Sequence, residues 1–141
     1  MDFGLASLGG RSILTVWKPF TNSAEGALEN CLFCKIANGE TDSKIIYSDE
    51  HLFAIKDINP QAPTHLLIIP KKHIRTIMDI EDSDKELLGS VYILAKSLAQ
   101  ENDLEASGYR VVVNYGSGAG QSVFHIHFHL LGGRPMKWPP G

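Results

Sequence analysis

The sequence predicts an α+β domain in which an antiparallel sheet is covered by one long helix. Three observations lead to this prediction. Short apolar segments are separated by proline, glycine and Asx turns, as in strands, and a stripe of apolar residues within 87–98 has helical spacing. Residues 124–131 alternate between apolar residues and histidine with the period of a strand. A chain of 141 residues fits one such domain and can bury a sizeable core.

Charge and composition exclude several classes of protein. The net charge of −3 offers no basic surface, so nucleic acid is not expected as the principal partner. No apolar run approaches the ~20 residues of a membrane helix. Two cysteines only three positions apart cannot form the disulfide framework of a small secreted domain. The expectation is therefore a cytoplasmic protein.

Residues 1–28 differ in composition from the rest of the chain. They are small and weakly patterned, and Pro19 interrupts any helix. Arg11 and Lys18 among several Ser and Thr residues suggest an organellar transit peptide, whereas Asp2 and the scarcity of arginine argue against one. We expect residues 1–28 to form a flexible N-terminal extension, with targeting left open, and residues 29–141 to form the domain.

The first half of the domain is predicted to contain a short helix and three strands. Gly39 ends the helical turn. Two prolines break any regular structure before His65, and the continuously apolar run after them predicts a strand covered on both faces and stopped at Pro70. The predicted elements here are a helical turn at 31–39, strands at 45–47, 52–55 and 65–70, turns at 48–50, and a loop at 57–63.

The second half is predicted to contain the long helix and two more strands. Ser83 to Glu86 has the pattern of a capping box, which would open the helix. A strand is expected at 109–115. It is followed by a glycine-rich turn at 116–120 and then by the histidine strand.

Three histidines at alternate positions are the strongest functional signal. His125, His127 and His129 would share one face of a strand, and such spacing should arise by chance in only ~1% of chains with this histidine content. The residues alone leave three interpretations open. The histidines could satisfy hydrogen bonds in a polar core, bind a metal, or act as nucleophile and proton shuttles on phosphorus.

The glycine turn favours phosphate chemistry when it is combined with the histidines. Gly116, Gly118 and Gly120 let the backbone approach an anion closely, and Ser122 adds a hydroxyl donor. Alone, such a turn is more typical of a hairpin connection, because it is neither a dinucleotide fingerprint nor a P-loop.

The segment His125-Ile126-His127-Phe128-His129-Leu130-Leu131 resembles the His-φ-His-φ-His-φ-φ motif, with φ apolar, of the histidine-triad (HIT) family. The resemblance extends through 57–65, 69–73, 112–114 and 120–122, and covers roughly residues 31–141. The C-terminal residues 132–141, which end in Trp-Pro-Pro-Gly, look like the Hint branch, the purine nucleoside phosphoramidate hydrolases.

The resemblance implies a catalytic role for four residues. His127 would attack the α-phosphorus of a nucleoside 5′-phosphoramidate, such as AMP-NH2 or AMP-lysine, and form a nucleotidyl-imidazole that water then hydrolyses. His129 and Ser122 would contact the phosphate and help to protonate the leaving amine, and His65 would complete the hydrogen-bond chain. Imidazole suits this work because its unperturbed pKa is ~6.5.

The resemblance also implies a purine nucleotide site, for AMP, GMP and their phosphoramidates. Asp57 would bind the ribose hydroxyls, although by itself it would be interpreted as a turn residue before Asn59-Pro60. By themselves the base-pocket residues would be interpreted as core. The implied nucleotide contacts are Asp57, Ile58, Phe33, Asn114, Gly120, Gln121, Ser122, His127 and His129.

Cys31 and Cys34 suggest a zinc site that needs two further ligands. In some HIT relatives a structural zinc is completed by histidines at the positions of His73 and His125, and this chain has both. The alternative is a pair of reduced, half-buried thiols. Any zinc would be structural, since the implied catalysis needs no cofactor.

The resemblance further implies a homodimer whose sheets join across the long helix and the strand at 109–115, with Trp138 reaching towards the partner's site.

Two other functions stay open. One is a dinucleoside polyphosphate hydrolase of the Fhit type, whose branch lacks the Trp-Pro-Pro-Gly tail. The other is a nucleotide-binding adaptor with little turnover.

Overall fold

The computed structural model describes residues 30–141, so the predictions for residues 1–28 lie outside it. The described part contains two α-helices and five strands, with short 3-10 turns between them. In chain order these are α1 (Leu32–Ala37), β1 (Ile45–Ser48), β2 (Leu52–Lys56), β3 (Thr64–Pro70), α2 (Lys85–Glu101), β4 (Tyr109–Val113) and β5 (Phe128–Gly132). The strands form one antiparallel sheet in the order β1-β2-β3-β5-β4. The α+β prediction is confirmed.

Strand β3 is buried on both faces, as its continuous apolar run predicts. Leu66 and Ile68 face the stripe of α2, whereas Leu67 and Ile69 pack with Phe33 of α1. Full burial of a side chain such as Ile68 is worth roughly 1.5–3 kcal/mol. The α2 stripe consists of Val91, Leu94, Ala95, Leu98 and Ala99. The sheet therefore has a core on each face, and α1 shares its face with the histidines.

The predicted capping box at Ser83 is wrong. Helix α2 begins at Lys85, and its N-cap residue Asp84 makes no side-chain bond to the helix. The Asp84 carboxylate instead accepts a hydrogen bond from the backbone N–H of Glu81 at 2.9 Å and pairs with the ammonium of Lys72. Asp84 is buried, so this pairing satisfies its charge. The Asp84 side chain therefore bonds to the preceding turn and to Lys72 instead of capping the helix.

The histidine segment is a regular strand only from Phe128 onwards. Ile68 pairs with Phe128, but two residues further along β3 lies Pro70, which has no N–H to continue the ladder. The carbonyl of Pro70 accepts a hydrogen bond from Nε2 of His125 instead, at 2.7 Å. The alternation nevertheless persists, since Ile126 and Phe128 pack into the α2 core. Strand β4 likewise ends at Val113, before the predicted end at 115.

Neither α-helix of residues 30–141 has the length and apolar character needed to cross a bilayer.

Candidate active site

Three histidines and one aspartate meet on the α1 face of the sheet, with a fourth histidine next to them. His65 lies on β3 and His129 on the neighbouring β5, and His127 comes just before β5. Within this group, Nε2 of His65 lies 2.9 Å from Nδ1 of His129, and the rings of His127 and His129 are 5.1 Å apart. Asp57 follows β2 and places Oδ2 3.3 Å from Nε2 of His65. The fourth histidine, His125, faces the cysteines.

Backbone groups fix the protons of His65 and His129. The N–H of Gln61 can only donate, and it lies 2.9 Å from Nδ1 of His65. Neutral His65 therefore carries its proton on Nε2. That proton points at Nδ1 of His129, so the proton of neutral His129 lies on its Nε2. Gln61 thus donates to His65, and His65 donates to His129. The Nε2–H of His129 is the last donor of this chain.

His127 has the opposite arrangement. Its Nδ1 lies 2.8 Å from the carbonyl oxygen of His125, which can only accept, so Nδ1 carries the proton. Nε2 of neutral His127 then holds a lone pair, as a nucleophile requires. The ring of Phe33 packs edge-on against that of His127 with centroids 5.1 Å apart. His127 therefore has a lone pair on Nε2, and the neighbouring ring of His129 has an N–H on its Nε2.

Burial keeps these histidines neutral. Desolvation lowers the pKa of His129 to about 4, helped by the neighbouring His127 and His65. Desolvation also lowers the pKa of His127 and of His65 below the usual 6.5. Each shift disfavours the protonated form, so the three imidazoles are neutral at pH 7 in the ligand-free site. An anionic phosphate bound beside them would reverse this effect and favour uptake of a proton.

The residues predicted to contact the nucleotide differ in burial and in their contacts with the histidines. Asp57 serves as the turn residue it resembles, since Oδ1 accepts from the N–H of Asn59 at 2.8 Å, while Oδ2 faces His65. Phe33 is buried against His127, whereas Ile58 is fully exposed. Asn114 is half-buried and follows β4, whose last residue Val113 pairs with Phe128.

The glycine turn is held by a buried glutamine. Gly116 and Gly120 have φ values of +79° and +88°, which favour glycine. The side-chain oxygen of Gln121 accepts from the N–H of Gly116 at 2.9 Å, and its amide donates to the carbonyls of Arg75 and Val123. The Gln121 side chain therefore shapes the turn from inside, while Ser122 beside it is exposed.

A second group, behind the first, has the composition of a zinc site. The ligand atoms of Cys31, Cys34, His73 and His125 all lie within 4.8 Å of one another, and all four residues are buried. The measured separations are 3.4 Å for Cys31 Sγ to His125 Nδ1, 3.3 Å for Cys34 Sγ to His73 Nδ1, 3.5 Å for Cys34 Sγ to His125 Nδ1, and 3.1 Å between the two Nδ1 atoms. Tetrahedral zinc would require roughly 3.3–3.8 Å between ligand atoms. The residues fit a structural zinc.

The chemistry of these ligands agrees with that geometry. The Nε2 proton of His125 is donated to Pro70, which leaves Nδ1 free to bind a metal. A hydrogen bond from Cys34 lowers the pKa of the Cys31 thiol to about 3, and the same bond raises the pKa of Cys34. The pair therefore holds one thiolate readily, and a cation would release the second proton.

Asp57, His65 and His129 also bring three ligand atoms within 4.8 Å of one another. A metal on Nε2 of His65 would move the proton of that ring to Nδ1, where it would oppose the N–H of Gln61. This conflict makes the three residues a hydrogen-bond chain rather than a metal site.

Sequence reasoning missed Gln61 and the structural role of Gln121. A backbone N–H gives no sequence signal of its own, so Gln61 could not be found by residue type. The Pro60–Pro63 loop was the available clue, because two prolines restrict the backbone there.

Comparison with known proteins agrees with this geometry. The family model described as "HIT domain" matches residues 38–136, well over half of the chain. The chain belongs to the HIT family. A HIT relative described as "14 kDa zinc-binding protein" from Zea mays is 50% identical over 112 residues, which cover 78% of this chain and 87% of the relative.

Solved HIT structures have the same fold. A "HIT family hydrolase from Legionella pneumophila Philadelphia 1" is 61% identical and aligns with a TM-score of 0.78 over 79% of this chain and 100% of that one. A "histidine triad nucleotide-binding protein from Candida albicans" is 33% identical, with a TM-score of 0.67 over 79% of this chain and 85% of the other.

Proposed function

We propose that this HIT protein is a hydrolase that cleaves the P–N bond of purine nucleoside 5′-phosphoramidates, of the AMP-NH2 or AMP-lysine type. The observation that carries the proposal is the pair of opposite tautomers, with a lone pair on Nε2 of His127 and a proton on Nε2 of His129. Related proteins described as HIT family hydrolases support the hydrolytic class.

The reaction would proceed in two displacements. Nε2 of His127 attacks the α-phosphorus and the P–N bond breaks. The departing amine takes up the Nε2 proton of His129. The anionic phosphate raises the pKa of His129, so that Nδ1 of this ring takes up a second proton in the complex. The Nε2–H of His65 would then turn to Oδ2 of Asp57, which lies 3.3 Å from that nitrogen and 3.9 Å from Nδ1 of His129. Water then attacks the nucleotidyl-imidazole, the P–Nε2 bond breaks, and the proton of the water returns to the histidine chain. Ser122 and the glycine turn would hold the phosphoryl oxygens.

Asp57 is proposed to bind the ribose hydroxyls as well as to face His65. We expect Asp57→Ala to lower kcat/KM for the ribonucleotide by roughly 10- to 100-fold, because a hydrogen bond to a charged group is worth about 1.5–3 kcal/mol. The measurement is the ratio of kcat/KM for ribo- and 2′-deoxyribo-substrates. The ratio should fall towards one in the variant. Equal losses on both substrates would show that Asp57 acts only through His65.

A homodimer is proposed to form at β4, which is the edge strand next to β5. Tyr92 and Ile93 of α2 are also exposed, by 54% and 68%, as an apolar contact would require. Pairing of two β4 edges would give one continuous sheet. Trp138, which is 82% exposed, would then be available to the partner's site.

Ile93→Arg is expected to convert the dimer to monomer, because it places a charge in the proposed interface. Sedimentation velocity at micromolar concentration measures the change. Met78→Arg is the matched control, since Met78 is 72% exposed on a different turn. A monomeric wild type, or a dimer that tolerates arginine at 93, would contradict the proposed interface.

The reaction itself is tested with an adenosine 5′-phosphoramidate that carries a fluorescent amine, with a dinucleoside polyphosphate as competitor. We expect the phosphoramidate to be the faster substrate. Faster cleavage of the dinucleoside polyphosphate would favour a Fhit-type hydrolase. AMP binding without turnover of either substrate would overturn the enzyme proposal in favour of an adaptor.

A further inference from the structure

The turn after β5 packs against the loop that orients His65. Nε of Arg134 donates a hydrogen bond to the carbonyl oxygen of Gln61 at 2.9 Å. Next to it, Gly133 has a φ of +92°, and a Cβ placed there would lie 2.9 Å from Cβ of Pro63. The two contacts come from consecutive residues and meet the same short loop from one side.

Gln61 is therefore held at both ends of its backbone. Its carbonyl accepts from Arg134, and its N–H donates to Nδ1 of His65. The side chain of Gln61 adds a third bond, from its amide to the carbonyl of Asn59 at 3.0 Å. The loop thus presents one N–H to His65 in a fixed direction.

That direction helps to determine where the protons lie. Oδ2 of Asp57, 3.3 Å from Nε2 of His65, also favours a proton on Nε2, and the Gln61 N–H adds the constraint at Nδ1. If the Gln61 N–H turned away, the constraint at Nδ1 would be lost, and part of the His65 population could carry its proton there with Nε2 as an acceptor. The bond at 2.9 Å to His129 would then reverse, with the proton of His129 on Nδ1. His129 would lose the Nε2 proton that faces away from His65 and is needed for the leaving amine.

We propose that Arg134 and Gly133 are positioning residues, which hold the Gln61 backbone so that His65 and His129 keep the productive tautomers. Arg134 contacts neither histidine directly. It donates to the carbonyl of Gln61, and the N–H of Gln61 in turn donates to His65. The proposal deepens the proposed function, on which it rests, by giving two residues of the C-terminal segment a role in the site.

The alternative is that Arg134 only stabilises the C-terminal segment. Its Nη1 also donates to the carbonyl of Pro135 at 3.0 Å, so a purely structural role has a contact of its own. Arg110 offers a matched control. It is likewise an arginine that donates to a backbone carbonyl, but its Nη2 donates at 3.0 Å to Lys137 in the C-terminal segment rather than to the loop that orients His65.

The test compares Arg134→Gln, Arg134→Lys and Arg110→Gln by imidazole nitrogen NMR of the ligand-free protein and by steady-state kinetics. Arg134→Gln should turn the single Nε2–H tautomer of His65 into a mixture and lower kcat roughly 3- to 10-fold, the size of one lost hydrogen bond, with KM little changed. Arg134→Lys should recover part of both effects, and Arg110→Gln should show neither.

A His65 that keeps its single tautomer in Arg134→Gln would overturn the proposal, whatever happens to kcat. A loss of kcat of equal size in Arg110→Gln would also overturn it, because a general effect of the C-terminal segment would explain both. The His65 tautomer is measured by NMR in the ligand-free protein, so this result does not depend on whether the protein cleaves a phosphoramidate. A wild type that holds the tautomer but cleaves no phosphoramidate would count against the proposed function alone.

Discussion

Replacing His127 with alanine is expected to lower kcat for an adenosine 5′-phosphoramidate by roughly 10⁴-fold or more, because the nucleophile is removed and the second displacement has no intermediate to act on. Binding of AMP should change only several-fold. His127 offers a single nitrogen to the phosphate, whereas the neighbouring donors and Asp57 stay in place. Fluorescent-amine release measures kcat, and calorimetric titration with AMP measures binding.

His51→Ala is the control for this variant. His51 is exposed in the turn before β2, with Nε2 3.3 Å from Glu50, and it faces none of the other histidines. It should leave kcat unchanged. A His127→Ala variant with more than a tenth of wild-type kcat would contradict the proposed nucleophile, and it would point to direct attack by water.

Loss of a zinc ion held by Cys31, Cys34, His73 and His125 is expected to have the largest effect on stability. Each hundredfold excess of free zinc over its Kd stabilises the folded state by about 2.7 kcal/mol, because only the folded chain brings the four ligands together. Cys34→Ser should therefore remove bound zinc and lower Tm by about 10 °C or more. Elemental analysis measures zinc per chain, and scanning calorimetry measures Tm with and without a chelator.

The control distinguishes the metal from general damage to the core. His51→Asn changes a histidine outside the group and should retain one zinc per chain and the wild-type Tm. In Cys34→Ser, added chelator should cause no further loss, because the metal is already absent. A wild-type protein purified without zinc, whose Tm does not respond to added zinc or chelator, would contradict the site.

The positions of the strands and of the histidines could be predicted because they depend on local patterns. The period of two in 124–130 places Ile126 and Phe128 in one core and the histidines on the other face. The apolar run of β3 likewise predicts a strand covered on both sides. Hydrophobic periodicity survives in the folded state because burial of each side chain is worth more than the local alternatives.

The remaining features depend on contacts between distant segments. Asp84, which precedes α2, pairs with Lys72 twelve positions away and makes no side-chain bond to the helix. The histidine strand is shortened by Pro70 in a different strand. The tautomers of His65, His127 and His129 depend on the N–H of Gln61 and on the carbonyl of His125. None of these is visible in residue type, since each uses a backbone group or a partner brought in by the fold.

Cleavage is proposed to pass through a covalent bond between phosphorus and Nε2 of His127. The most direct measurement is the configuration at phosphorus after hydrolysis of a P-chiral adenosine 5′-phosphorothioamidate in water enriched in heavy oxygen. Each in-line displacement inverts phosphorus, so two displacements predict retention. Inversion would mean that water attacks the substrate directly, and His127 would then not be the nucleophile.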